Sequence, residues 1–222
     1  MLRVMIGGWL VVLCVSNLFG QDYKAAAIDG PPAAEGISSD LLAQFEAQGV
    51  KVMRGSRTSS EIWLCKNIET MADFKPTGER IYPFQQGQLI GLIHYPRKSN
   101  DFRNQEVQSG WYTLRFELQP VDGNHVGTSP TRDFFLMSKA ENDQPGKKWE
   151  TKALLAASAE VSGGSHPAMI SLQRAEKSEE KTSLRHDEEK DWWVLRMIAK
   201  GQAGGKPMDV PLEMVVVGHA AE

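Results

Sequence analysis

The stretch SGWYTLRFELQPVDGNHVGTSPTRDFF, residues 109–135, determines the fold class of this chain. Its first part alternates with the period of a β-strand, and we predict that Tyr112, Leu114 and Phe116 face inward. The Gln-Pro pair that follows ends this strand, because proline cannot donate to a β-ladder. A polar loop comes next, and Asp133 stands directly before the apolar run FFLM. The stretch therefore predicts two strands joined by a long polar loop.

The rest of the chain continues this pattern, with about eight short strands between turn signals and little helix. It lacks the alternation of strands and helices that predicts a parallel sheet. The predicted fold class is mainly β, an antiparallel β-sandwich of jelly-roll or immunoglobulin-like type with one or two short helices. A β-barrel is the alternative, because the strand pattern does not show whether the sheet closes.

Two segments are predicted to be helical. Residues 38–49 have a serine N-cap at Ser38 or Ser39, an apolar face and a stop at Gly49. Residues 152–164 are rich in alanine and leucine, which favour a helix. The charge run 176–191 is interpreted as a solvated hairpin or loop.

The N-terminus is typical of an export signal. Residues 1–20 combine a basic start at Arg3 with an apolar run too short for most membrane-spanning helices, so we interpret them as a signal peptide. An uncleaved membrane anchor is the alternative. Residues 21–36 are interpreted as a flexible tether and residues 37–222 as a single β-sandwich domain. The protein is thus expected to be exported, periplasmic or secreted, and to meet the membrane only through its signal peptide during export.

The net charge and the cysteine count exclude several classes of function. The net charge is −3 and no block of lysine or arginine stands out, so nucleic acid is not an expected partner. Removal of the signal peptide takes Cys14 with it and leaves Cys65 alone, which excludes an intramolecular disulfide and a multi-cysteine zinc site. Cys65 lies in the apolar run IWLC and is predicted to be a buried, inert thiol.

The long polar loop supplies the first candidate site residues. Asp122 and Asn124 are turn-forming types, but the turn does not require His125, which can contact a ligand, bind a metal or hydrogen-bond the loop. Arg132 and Asp133 end the loop. Asp133 can accept loop amide hydrogens and pin the loop, or it can orient a histidine.

Two further loops supply the remaining candidates. Asp101 and Arg103 lie in a polar loop before the long strand, and His166 precedes the proline at another strand entrance. We expect these residues to share one rim of the sandwich with the loop around Asp133 and to form a ligand-binding surface. A tighter convergence of His125, Asp133 and His166 would form a metal site, because two imidazoles and a carboxylate are a known ligand set.

No nucleophile elbow, zincin motif or phosphate-binding loop occurs in the chain. The sequence thus leans away from an enzyme and favours a non-enzymatic module that binds an unknown ligand or envelope component, with no cofactor. The first alternative is a metal-dependent, hydrolase-like enzyme that uses a divalent metal in the His/Asp/His site. The second alternative is a structural protein of the cell envelope.

A resemblance to a known family rests on several motifs: GWYTLRFELQPVDGNHVG, RDFFLMSKAENDQ, SHPAMISL and LEMVVVGHA. They resemble the pattern YTLR-x-x-x-QP-x-DGNH-x-G … RDF of an uncharacterised family of exported bacterial proteins of planctomycete type. The resemblance extends from about Leu41 to the C-terminus. It implies export and a shared fold, but no activity, because the family has none established. One departure is that Phe135-Leu136-Met137 stands where the family has a leucine pair.

Overall fold

The computed structural model describes residues 22–120 and 129–220, and this part of the chain is mainly β. Strands form 46% of it and helices 10%, which confirms the predicted mainly-β class with few helices. The strands are β1 Tyr23–Asp29, β2 Gln48–Arg54, β3 Arg57–Leu64, β4 Ile68–Glu69, β5 Leu89–Tyr95, β6 Ser99–Asn100, β7 Glu106–Val107, β8 Gly110–Leu118, β9 Asp133–Lys139, β10 Met169–Gln173, β11 Ser183–Asp187, β12 Trp192–Ala203 and β13 Lys206–Val217. The helices are α1 Ser39–Leu42, the 3₁₀ turn Ala140–Asn142 and α2 Thr151–Ser162.

One large, curled sheet contains nearly all of the strands. Its order is β1-β2-β3-β5-β8-β9-β10-β13-β12-β11, and β4 adds a short parallel pairing to β12. β10 turns the corner of the sheet, because its first half pairs with β9 and its last two residues pair with β13. The curl brings the two edges together, so that the rings of Tyr23 on β1 and Trp193 on β12 lie 5.4 Å apart.

Both faces of the central strand β8 are buried. Tyr112, Leu114 and Phe116 belong to the main hydrophobic core, which confirms their predicted inward orientation. On the opposite face, Arg115 and Glu117 are only 2% and 4% exposed. The alternation therefore marks the boundary between an apolar and a polar interior, not the boundary between core and solvent.

The helix predicted over residues 38–49 is wrong beyond its first turn. Ser38 caps α1, as predicted, and its Oγ accepts from the Leu41 amide at 3.3 Å. The chain then leaves the helix because Phe45 forms a bridge with Cys65 at the end of β3. Gly49 lies inside β2, where a β-carbon would stand 2.6 Å from Nε1 of Trp63. Close packing of this indole, and not a helix stop, requires the glycine.

The segment interpreted as a tether, residues 21–36, contains the edge strand β1. Each residue of β1 pairs with β2, from Tyr23 opposite Arg54 to Asp29 opposite Gln48. The folded unit thus begins before residue 37. The alanine run of β1 carries little side chain, but the backbone hydrogen bonds of a neighbouring strand hold it in the sheet.

The C-terminal half agrees more closely with the structure predicted from the sequence. α2, Thr151–Ser162, overlaps the predicted helix 152–164 apart from one residue at its start and two at its end, and its C-cap is Gly163, whose φ is 65°. The charge run 176–191 contains β11, which forms a hairpin with β12.

Pro211 lies in β13 opposite Ile198, but β10 pairs with β13 only at Met214 and Glu213. Proline is accommodated there because that side of β13 is locally an edge.

Within residues 22–120 and 129–220, no helix has the length and apolarity needed to cross a membrane.

Candidate functional site

The predicted site residues come from loops on both sides of β8 in the chain. The loop that carries Asp101 and Arg103 precedes β8, and the loop that ends at Asp133 follows it. The two loops are neighbours in the fold, because the ring of Phe102 lies 6.2 Å from the ring of Phe134. The carboxylates of both loops turn inward, since Asp101 and Asp133 are only 2% and 0% exposed. These two carboxylates are therefore not part of a solvent-facing rim.

Asp133 is a buried brace that faces the core. Its carboxylate accepts the amides of Ile81 and Tyr82 at 3.0–3.1 Å, and its side chain is fully buried. Burial raises the pKa of Asp133, and the two amides offset part of that rise. These contacts match the loop-pinning alternative, although the segment that Asp133 pins is 81–82.

Asp101 is a second brace. One carboxylate oxygen accepts the amides of Arg103 and Gln105 at 2.9 and 2.8 Å, and the other accepts Gln105 Nε2 and the Met169 amide. Burial raises the pKa of this carboxyl as well. Asp101 therefore fastens its loop to the start of β10, and Phe102 buries its ring beside Trp192 in a second hydrophobic cluster.

The side chains of the remaining described candidates make local contacts or are exposed to solvent. Arg132 donates Nε and Nη2 to the Gln119 carbonyl and pairs with Glu79 at 2.5 Å. His166 is exposed, and its carbonyl accepts from Ser162 Oγ at 3.0 Å. Asp122, Asn124 and His125 lie outside the described residues.

The His/Asp/His metal set does not assemble. In the β9–β10 ladder, Leu136 pairs with Met169 and Phe134 pairs with Ser171. This register places Asp133 at one end of the ladder and His166 beyond the other, so the two side chains cannot ligate one ion. No group of three histidine, cysteine or acidic residues suited to a metal occurs within the described part of the chain.

A large cleft lies on the outer, polar face of β8. It has a volume of about 840 Å³, and we call it the Trp149 cleft. Its lining consists of residues 43–44, 65–67, 69, 85–89, 115 and 145–150. Two of its walls come from loops, and the third comes from the segment that leads into α2.

The floor of the Trp149 cleft is a buried ion pair. Arg115 donates Nε and Nη2 to the two carboxylate oxygens of Asp143, both at 2.8 Å, and donates Nη1 to the Gly87 carbonyl at 2.6 Å. Thr113 and Trp149 also donate to Asp143, at 2.7 and 3.2 Å. Burial alone would raise the pKa of Asp143, but the hydrogen bonds and charge of Arg115 outweigh it and lower that pKa. The network ties three separate segments into one rigid floor.

Cys65 also lines the cleft, but as an inert group. Its side chain is buried, and burial raises the pKa of the thiol to about 12. A thiol with such a pKa is protonated at neutral pH and is a poor nucleophile. This agrees with the inert thiol predicted from the sequence.

The walls present hydrogen-bonding and cationic groups to solvent. Lys147 places Nζ 3.5 Å from the centre of the half-buried Trp149 ring. Lys66 and Lys148 are exposed beside the side-chain amides of the cleft. None of these residues was among the predicted site residues, although QPGKKWE, residues 144–150, combines a turn signal with two lysines and a tryptophan.

A scan of protein-family models finds no match to the chain, and searches of curated proteins and of solved structures return none either.

Proposed function

We propose that this protein is an exported, non-enzymatic binding module that holds its ligand in the Trp149 cleft. The observation that carries the proposal is the contrast between floor and walls. The floor is a fully hydrogen-bonded, buried network around Asp143, whereas the walls carry polar groups that face solvent. The cleft replaces the rim that was expected from the sequence.

Preorganisation supports binding. Arg115 fixes residue 87 through one carbonyl and residue 147 through another, at 2.6 and 3.3 Å. Both segments line the cleft, so its shape is set before a ligand arrives. A preformed site loses less conformational entropy on binding, and ligand pockets are usually preformed in this way.

The chemistry of the floor favours binding over catalysis. General acid–base catalysis needs a group that can exchange a proton near the working pH. Asp143 is held in its ionised form by Arg115, and the Cys65 thiol stays protonated. These two groups stabilise the cleft and offer no proton donor or nucleophile to a substrate.

A cleft-filling variant tests the proposal. Asn67 is exposed on one wall, so Asn67→Trp should fill the cleft without disturbing the core. The matched control is Lys181→Trp, which adds the same ring to an exposed position outside the cleft. We expect a set of immobilised neutral and acidic oligosaccharides to retain the wild type and the control but not Asn67→Trp. Equal retention of both variants, or no retention of the wild type, contradicts the proposal and favours a structural role in the envelope.

Export is the second part of the proposal, and it rests on the signal-peptide pattern of residues 1–20. The full chain, expressed in a Gram-negative host, should appear in the periplasm or medium with a shortened N-terminus, as measured by fractionation and intact mass. A full-length chain in the membrane fraction would favour the anchor, and a full-length cytoplasmic chain would exclude export.

A further inference from the structure

We infer that the ligand of the Trp149 cleft is an anionic, hydroxyl-rich molecule of the acidic oligosaccharide class. The inference rests on the proposed function and adds the chemistry of the ligand to it. Three features of the walls carry it: lysines without acidic partners, side-chain amides without partners, and an indole whose face holds an ammonium group.

The cleft lysines have no carboxylate partner. Within residues 22–120 and 129–220, Lys66, Lys147 and Lys148 make no ion pair. The Nζ of Lys66 donates to the Ala43 carbonyl at 2.9 Å. Other exposed lysines, such as Lys181, are also unpaired, so the cleft is distinguished by the grouping of three lysines on one concave surface.

Neither the floor nor the rest of the lining balances this positive charge. Arg115 and Asp143 neutralise each other, so the floor is electrically neutral. The two acidic residues of the lining are Glu69, which accepts from Gln202, and Glu150. Three lysines face two carboxylates, and the surplus is positive in a chain whose net charge is −3. A positive concave surface on an acidic protein attracts anions selectively.

The amides select for hydroxyl groups. The side chains of Asn67 and Gln85 line the cleft, and within the described residues neither makes a hydrogen bond. A primary amide offers both donors and an acceptor, which suits hydroxyl groups that also donate and accept. A bare inorganic anion would use the lysines and leave the amide acceptors unpaired.

Trp149 supplies the third element. Its Nε1 is fixed on Asp143, and its ring face holds the ammonium of Lys147 at 3.5 Å. Lys147 also reaches the Asn142 carbonyl, at 3.4 Å, but no carboxylate in the described chain. A ligand carboxylate would draw this ammonium from the ring and leave an apolar, planar surface on which the carbon face of a sugar ring can pack.

Calorimetry with defined probes tests the inference. The probes are a hexamer of galacturonic acid, dextran sulfate of similar length, neutral maltohexaose and a polyglutamate peptide. The test variant is Lys66→Gln/Lys147→Gln/Lys148→Gln. The matched control removes the same charge outside the cleft, at exposed positions, as Lys24→Gln/Lys181→Gln/Lys206→Gln.

We expect the wild type and the control to bind the galacturonate hexamer or dextran sulfate, and the cleft variant to bind at least about tenfold more weakly. The two acidic probes distinguish a carboxylate from a sulfate ligand. Affinity should fall with salt, because charge drives part of the binding. Equal binding of maltohexaose, or equal weakening in both variants, would overturn the anionic class. Equal binding of polyglutamate would overturn the saccharide class.

Asn67→Trp separates the two proposals. If it abolishes binding of a probe that the lysine variant still binds, the cleft is a binding site and only the ligand class is wrong. If it leaves binding of every probe unchanged, both proposals fail.

Discussion

Asp133 and Asp143 are two buried carboxylates ten residues apart, and their surroundings are opposite. The described hydrogen bonds to Asp133 come from the backbone amides of Ile81 and Tyr82, and Arg80 and Arg132 act on it only through their charge. Asp143 faces a guanidinium that grips both of its oxygens. Burial prevails at Asp133 and raises its pKa, whereas Arg115 prevails at Asp143 and lowers its pKa.

The difference shows that burial alone does not determine the protonation of a carboxyl group. Amide donors compensate an ionised carboxylate partially, and a bidentate arginine does so more fully. It also separates two roles: Asp133 fixes a loop against the apolar core, and Asp143 fixes the floor of the Trp149 cleft.

The largest effect should come from removing the guanidinium. Arg115→Met leaves the charge of Asp143 buried without its main partner, and we expect a loss of about 3–5 kcal/mol in the free energy of unfolding. Urea denaturation followed by circular dichroism measures it. The double variant Arg115→Met/Asp143→Asn removes the stranded charge, so it should be more stable than Arg115→Met. A double variant less stable than the single one would show that the ion pair is not the source of the loss.

A smaller effect is expected at the amide-bound carboxylate. Asp133→Ala leaves the amides of Ile81 and Tyr82 buried without an acceptor, at a cost of about 1–3 kcal/mol in the free energy of unfolding. Asp133→Asn keeps one oxygen acceptor and should lose less, by the same urea measurement. A loss for asparagine equal to that for alanine would contradict the bracing role.

The pH dependence of stability should separate the two carboxylates by sign. The folded pKa of Asp133 is raised, so its contribution is fully present below about 3.9, the unfolded value, and is lost as pH rises through the folded pKa. The folded pKa of Asp143 is lowered, so its contribution is present above about 3.9 and is lost as pH falls through the folded pKa. Each slope is at most about 1.4 kcal/mol per pH unit.

Asparagine variants isolate these slopes. Denaturation from pH 2 to 7 should show that Asp133→Asn removes a decline of stability above about pH 3.9, and that Asp143→Asn removes a decline below it. The same direction of change in both variants would refute the contrast.

Local patterns predicted much of the fold, because they follow from the alternation of side chains within one strand. The inward orientation of Tyr112, Leu114 and Phe116 is an example. The helix over residues 38–49 failed because Phe45 pairs with Cys65, and a pairing across twenty residues leaves no local signal. β1 was missed because its alanines have no strand preference of their own.

The candidate site was predicted less well, for two different reasons. Asp101 and Asp133 were expected on a polar rim because loop carboxylates are usually exposed, but both turn inward and accept backbone amides. The Trp149 cleft did not follow from the sequence. Arg115 belonged to the polar side of an alternating strand, and only the folded chain shows that Asp143 and Trp149 cover that side.

The smallest change in the free energy of unfolding is expected at His166, because its side chain, unlike those of the two buried carboxylates, is exposed. His166 is exposed, and its only described hydrogen bond uses the backbone carbonyl, which alanine retains. His166→Ala should therefore change the free energy of unfolding by less than about 0.5 kcal/mol, against the larger loss in Asp133→Ala. Parallel urea titrations measure both. A loss at His166 as large as that at Asp133 would mean that the imidazole is a brace, and that burial is a poor guide to which groups stabilise this protein.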